Sequence, residues 1–310
     1  MTDQKPNGSR FHHAREDARF ASQNLPTAQT ESPAYRLAFQ DTDFLLREDL
    51  RPVRFQLELL KPELLLDEAQ IASMLVIYGS ARIPSPEHAD ALLAAAKTPA
   101  EQRVAERLVA KAPYYSEAKR LAARASAVPR DQQGRRHFVV CSGGGPSIME
   151  AANRGAHECG QESVGLNIVL PHEQAPNRYV TPSLSFQFHY FALRKMHFLL
   201  RARAVCVFPG GFGTFDETFE LLTLVQTGKM KAMPIVLFGK EFWNRVVDFE
   251  ALADEGVINR RDIELFKFVE TAEEAWAHIC DFWKKDPLGE LARREPEELP
   301  ECWDWAPDAV

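Results

Sequence analysis

"AVCVFPGGFGTFDETFELLTLVQTGK", Ala204 to Lys229, holds a strand, a turn and a helix in immediate succession. Ala204 to Phe208 is an unbroken apolar run, as a strand buried on both faces requires. Pro209-Gly210-Gly211 closes it. From Thr214 to Thr227 the apolar residues return at helical spacing until Gly228 supplies a stop.

The same unit recurs outward in both directions. Upstream, "MLVIYGSAR" (Met74 to Arg82) reads as a buried strand entering a tight turn, and residues 84–126 read as helices. "HFVVCSGGG" (His137 to Gly145) is a strand and glycine turn, and "PSIMEAANRGAHECG" follows as a helix with Pro146 at its first position. "SVGLNIVL" (Ser163 to Leu170) is the next strand, and Phe191 to Arg203 a helix. Downstream come "PIVLFG" (Pro234 to Gly239), the helix "EFWNRVVDFEALADEG", the strand "FKFVE" (Phe266 to Glu270) and a helix from Ala272 to Lys284. Repeated βα units predict an α/β fold: a Rossmann-like, doubly wound parallel sheet with helices on both faces and a ligand at the carboxyl ends of the strands.

Four stretches are expected along the chain. Residues 1–42, rich in Gln, Ser, Thr, Asn and Pro, read as a poorly ordered leader. Residues 43–73 read as a leucine-rich helical arm for packing or oligomerisation, divided into short helices by Pro52 and Pro62. Residues 74–284 are expected to form the Rossmann-like domain, and 285–310 a tail in which Trp303 and Trp305 suggest docking.

A net charge of −7 leaves no bulk basic field for a phosphate backbone, so a nucleic-acid partner is not expected. Five scattered cysteines without metal-ligand spacing read as cytosolic thiols, Cys141 and Cys206 as buried small hydrophobes. His12, His13, Arg15, Glu16 and Asp17 stand where a signal peptide needs apolar residues, and no apolar run approaches the roughly 18 residues of a membrane span. The expectation is a cytoplasmic protein with no membrane partner.

Three strands end in small residues: Gly79-Ser80, Gly143-Gly144-Gly145 and Gly210-Gly211-Phe212-Gly213-Thr214. The last two lead straight into helices, whose free N–H groups and partial positive charge suit a phosphate. "SGGGPS" alone is as readily a tight connection. Neither turn carries the Gly-Lys-Ser/Thr of a P-loop or the dinucleotide fingerprint. "PGGFGTFDE" adds a carboxylate, Glu217, three residues beyond Thr214. That spacing fits an acid at a phosphate site and equally a capping-box partner for Thr214. The pair Arg194-Lys195 reads either as a solvated helix face or as charge folded back over the Pro209 turn.

With these motifs in view, the chain resembles the LONELY GUY (LOG) family of cytokinin-activating phosphoribohydrolases, often labelled "possible lysine decarboxylase". The resemblance rests on "SGGGPSIMEAANRGAHE", on the span from "LRKMHFLLRARAVCVF" through "PGGFGTFDETFELLTLVQTGK", and on "PIVLFG". It covers about residues 74–284. It implies a Rossmann-like fold, homodimers or larger assemblies, and hydrolysis of N6-substituted AMP to free base and ribose 5-phosphate, with no cofactor or metal. The family's catalytic Arg and Glu correspond to Arg194 and Glu217. Its nucleotide contacts correspond to Lys195, Gly210, Gly211, Phe212, Gly213, Thr214, Thr223 and Glu173 of "LPHEQAPN", beside the turn residues Ser80, Gly144 and Gly145. Tyr190-Phe191 stands where short members have Met-His, which leaves the base preference open.

Three other readings compete. A broad nucleotide nucleosidase would use the same turns. Molybdenum-cofactor carriers share the fold and the glycine turns, but are expected to lack the Arg and Glu pair. A decarboxylase would need pyridoxal phosphate on a lysine, which the glycine turns do not require.

Overall fold

The computed structural model describes residues 12–171 and 175–286. The chain divides into two compact units, Met1–Leu60 and Lys61–Val310.

Within the first unit the stretch expected to be a leader carries helix α1, Ala14–Ala21, none of whose residues is buried. The Glu16 carboxylate accepts a hydrogen bond from the His13 backbone at 3.0 Å, a capping arrangement that occupies a free donor at the helix start. Helix α2, Thr42–Leu45, is capped by Asp41. Phe20, Leu25, Tyr35 and Phe39 are exposed. Helix α3, Arg51–Glu68, begins in this unit and ends in the second. The expected break at Pro62 does not occur: α3 runs through it, with Pro62 and Leu66 buried. Proline inside a helix costs about 3 kcal/mol. Here the turn after it is pinned, because the Arg201 guanidinium binds Glu63 Oε2 at 2.9 Å, Asp67 Oδ1 at 2.8 Å and the Ile71 carbonyl at 2.6 Å.

The second unit is built on β1 (Met74–Tyr78), β2 (Val139–Ser142), β3 (Val164–Ile168), β4 (Ser185–Phe188), β5 (Ala202–Val207), β6 (Ile235–Phe238) and β7 (Lys267–Val269). Its helices are α4 (Ala89–Ala95), α5 (Pro99–Val109), α6 (Pro113–Ser126), α7 (Ile148–Glu158), α8 (Phe191–Leu200), α9 (Phe212–Gln226), α10 (Lys240–Val246), α11 (Phe249–Asp254) and α12 (Ala272–Phe282). All seven strands are parallel, in the order β4-β3-β2-β1-β5-β6-β7. The α/β, doubly wound parallel sheet read from the sequence is therefore the fold of this unit.

Every residue of β1 and β2 is buried, which is why these strands read as continuous apolar runs rather than alternating ones. One face of the sheet packs Leu75, Ile77, Val140 and Cys206 against Leu121, Ala152 and Ile279 of α6, α7 and α12. On the other face Tyr78 meets Phe198 of α8 edge to face, with ring centroids 5.0 Å apart. Chain order runs from β1 through β2 and β3 to one edge, then returns to β5 on the opposite side of β1. The reversal makes the carboxyl ends of β1 and β5 the switch point, where such sheets bind ligands.

Local departures from the sequence reading have physical causes. Strand β4 is an addition: it is a four-residue edge strand with alternating burial, and the two-residue period shows only over Phe186 and Phe188. The helix expected over "EFWNRVVDFEALADEG" is two, α10 and α11, because Val247 is extended and the Asp248 carboxylate caps the second by accepting from the Ala251 N–H at 2.9 Å. Strand β5 starts at Ala202, so α8 ends earlier than Arg203. Cys141, Cys206 and Cys280 are buried. Cys159 is disulfide-bonded, so the reading of five thiols fails there.

Candidate active site

The turn after β5 and the start of α9 form the base of the site. Gly211 is the N-cap of α9 and no side chain caps the helix, an arrangement that suits the leading N–H groups to an anion. The Ser80 N–H donates to the Pro209 carbonyl at 3.0 Å, joining the β1 turn to the β5 turn across the switch point. Gly210 is packed on Thr214: a Cβ there would lie inside van der Waals contact with the Thr214 hydroxyl oxygen. Thr214 is itself buried, and its carbonyl accepts from the Thr218 hydroxyl at 2.6 Å.

The turn after β2 is held by a buried polar chain. The Ser142 hydroxyl donates to Asn153 Oδ1 at 2.7 Å and accepts from the Gly144 N–H at 3.1 Å. Asn177 Nδ2 donates to the carbonyls of Gly144 at 3.2 Å and Gly145 at 3.0 Å and to Asn153 Oδ1 at 2.9 Å. Gly144 has φ of +72°, a backbone region that other residues enter at a cost. Ser147, at the start of α7, has φ of +65° and donates its hydroxyl to the Ile83 carbonyl, which fixes the strained backbone in place.

Above these turns Arg194 and Glu217 converge. Arg194 Nη1 lies 3.5 Å from Glu217 Oε1, and the side chains retain 11% and 14% of their exposure. The guanidinium donates from Nε to the Leu166 carbonyl at 2.7 Å, sits 5.1 Å above the Phe198 ring, and passes so close to Gly143 that a Cβ there would be 2.6 Å from Nη2. Gly143 is thus the space into which the arginine lies. The capping-box reading of Glu217 does not hold, because α9 starts at Phe212 with Gly211 as its cap and Glu217 lies beyond the first turn.

Burial pushes the Glu217 carboxyl up to about 7, against the downward pull of Arg194; Asp216 adds to the rise. A carboxyl removed from water disfavours its charged form, and one guanidinium at 3.5 Å recovers only part of that loss. The group therefore changes charge near neutrality, in the range a general acid or base needs. Tyr78, at the end of the central strand, is almost fully buried. Burial and the nearby Glu217 both hold its phenol well above the ordinary range. The sequence reading passed over Tyr78 and Asn177.

The other expected contacts divide into those the fold brings together and those it does not. Ser80, Gly144, Gly145, Gly210, Gly211, Gly213 and Thr214 all lie on the turns after β1, β2 and β5 or the first turn of α9. Lys195 sits beside Arg194 on α8, yet its ammonium binds Asp216 Oδ1 at 2.9 Å and Glu220 Oε2 at 2.7 Å. Phe212 is 96% exposed and points away from the packed turn. Thr223 is exposed and donates to the Phe219 carbonyl at 2.7 Å. At 1.5 Å per residue it stands about 13 Å along α9 from Thr214, so within this chain the two do not meet. Glu173 lies outside the described residues. Among the described residues no cluster of His, Cys, Asp or Glu could hold a metal, and no helix is long and apolar enough to cross a membrane.

The model of the family described as "Possible lysine decarboxylase" matches residues 149–279, a stretch that includes both Arg194 and Glu217. Cytokinin riboside 5'-monophosphate phosphoribohydrolase LOG2 of Arabidopsis thaliana is 26% identical over 125 residues, 39% of this chain. The match spans 57% of the length of that relative. Among solved structures, the structural-genomics target TM1055 matches with a TM-score of 0.40 and 21% identity, over 66% of this chain and 95% of the target. The molybdenum cofactor binding protein of the phototrophic bacterium Rippkaea orientalis matches with a TM-score of 0.40 and 16% identity, over 69% of this chain and 96% of that protein.

Proposed function

We propose, from the match over residues 149–279 and the partial likeness to LOG2, that this chain is a phosphoribohydrolase of the LOG type that cleaves the N-glycosidic bond of a nucleoside 5′-monophosphate. The substrate is of the N6-substituted AMP type, and the products are the free base and ribose 5-phosphate. The observation that carries this reading is the buried meeting of Arg194 and Glu217 at the switch point.

In the reaction the bond from C1′ to the base nitrogen breaks, the oxygen of water bonds to C1′, and a proton passes to the departing base. Positive charge develops on the ribose as the bond opens, so a fixed carboxylate beside it stabilises the transition state and takes the proton from the attacking water. Glu217 supplies that group. Burial withholds solvent from it, and a protonation midpoint of about 7 lets it both accept and return a proton. Arg194, anchored by the Leu166 carbonyl, directs its planar fork toward the carboxylate and the nucleotide. The phosphate rests on the N–H groups of the Gly210-Gly211 turn and the uncapped start of α9.

The test is incubation of the purified protein with AMP, GMP, CMP and N6-isopentenyl-AMP, with free base followed by chromatography. Base release from N6-isopentenyl-AMP above the others is expected. Equal release from all four would make the protein a broad nucleotide nucleosidase. Tight nucleotide binding with no release would replace the hydrolase with a carrier.

A further inference from the structure

We propose that Lys195 is a positioning residue for Glu217: its ammonium fastens α8 to α9 and neutralises the two carboxylates that flank the acid, rather than holding a ligand phosphate. The proposal rests on Glu217 being the acting carboxylate. Neighbouring residues of α8 make two crossings to α9. Arg194 reaches Glu217, and Lys195 reaches Asp216 at 2.9 Å and Glu220 at 2.7 Å. The Lys195 side chain keeps 16% of its exposure, and its ammonium is engaged by these two carboxylates.

Asp216 precedes Glu217 in the chain, and Glu220 follows it by three residues, one helical turn. Two anions in those places oppose a third charge between them. The charged groups acting on Glu217 are Arg194 and Lys195 from α8 and Asp216 and Glu220 from α9, with the Tyr78 phenol coupled to it from β1. Asp216 and Glu220 favour its neutral form, while Arg194 and Lys195 favour the anion. Without Lys195 the balance tips toward the neutral acid, and one of the two crossings between α8 and α9 is lost. The ammonium is itself shifted toward permanent charge by its two partners, against the opposing effect of burial.

The decisive experiment titrates the ligand-free protein. Glutamate is labelled at the side-chain carboxyl carbon, and the Glu217 signal is assigned by its loss in Glu217→Gln. Its midpoint is then followed in wild type, Lys195→Met and Lys195→Arg. Loss of one charge at this range moves the midpoint upward by about one unit in Lys195→Met. Lys195→Arg, which restores the cation, brings it back.

With a nucleotide that the wild type hydrolyses, the acid limb of kcat/KM moves by the same amount: about tenfold lower at pH 6, with the loss shrinking toward pH 9. A higher KM for the monophosphate with an unmoved midpoint would mean that Lys195 holds the phosphate, and overturns the proposal. If Lys195→Met does not fold, Asp216→Asn combined with Glu220→Gln must lower the midpoint, and an unchanged value is equally fatal. The titration needs no turnover. A protein that hydrolyses no nucleotide sinks the proposed reaction and leaves the midpoint to judge Lys195.

Discussion

Replacing Glu217 by Gln should make the protein more stable, and by an amount that depends on pH. The carboxyl protonates at about 7 in the folded chain against an ordinary value of 4.5, a difference of about 2.5 units. At 1.36 kcal/mol per unit this is about 3 kcal/mol, an order-of-magnitude figure. The sign follows from proton binding. Between 4.5 and 7 the folded state holds a proton that the unfolded state has released, so the wild type loses stability as pH rises through that window. Gln resembles the protonated acid in shape and carries no charge at any pH. The two proteins should therefore match below pH about 4.5, diverge across the window, and reach a constant gap of up to about 3 kcal/mol in favour of the variant above pH about 8. Arg194 keeps the Leu166 carbonyl and the face of Phe198 in the variant, so it is not left without a partner. Urea unfolding of both proteins at half-unit steps of pH measures the gap, and every carboxylate common to the two cancels in the difference. In a unit of this size the plateau corresponds to roughly 6–12 °C in Tm. A gap that stays flat, or one in which the wild type gains on the variant as pH rises, would show that Arg194 outweighs burial and would refute the electrostatic picture of the site.

The same residue sets two further outcomes, and the turn after β2 sets two more. Turnover of Glu217→Gln should fall by about 10²–10⁴ with nucleotide binding nearly intact, read as kcat against Kd. For the wild type kcat/KM should rise with pH through a midpoint near 7, since the anion is the working form; a rate that falls through that range would make Glu217 a general acid instead. Gly143→Ala places a methyl 2.6 Å from Arg194 Nη2, so kcat/KM should drop at least about tenfold while the circular dichroism spectrum stays that of the wild type. Asn177→Ala removes the donor that holds the Gly144 and Gly145 carbonyls at 3.2 and 3.0 Å. Chemical denaturation should show a loss of about 1–3 kcal/mol, with weaker nucleotide binding measured by calorimetry.

Strand-by-strand, the sheet is legible because burial on both faces erases alternation: Met74 to Tyr78 and Val139 to Ser142 carry no outward-facing residue to confuse the pattern. The exception is the edge. Ser185–Phe188 alternates over only four residues, too few for a period to stand out. Proline misleads in the opposite direction at Pro62, since its penalty is local while the Arg201 contacts that offset it come from residues far along the chain. The Asp248 cap that divides α10 from α11 was written in the sequence but hidden inside an apolar pattern that suits one helix as well as two.

At the site, the limit of the sequence is that spacing along one helix cannot say what lies opposite it. Thr214 and Glu217 are separated by the same interval whether Glu217 caps a helix or faces a ligand, and only the start of α9 at Phe212 removes the first of these. Arg194 and Lys195 are adjacent in the chain, yet they turn to different carboxylates, one largely withdrawn from water and two at its edge. That division follows from helical geometry. Successive residues on α8 point about a quarter-turn or more apart, so a basic pair cannot address one anion together unless the ligand spans both directions. A buried arginine on the acid and a lysine on the carboxylates beside it thus both oppose the rise that burial imposes on Glu217. Without the lysine there, Asp216 and Glu220 would drive Glu217 further toward the neutral form, in which, on the proposed reaction, it could no longer draw a proton from water.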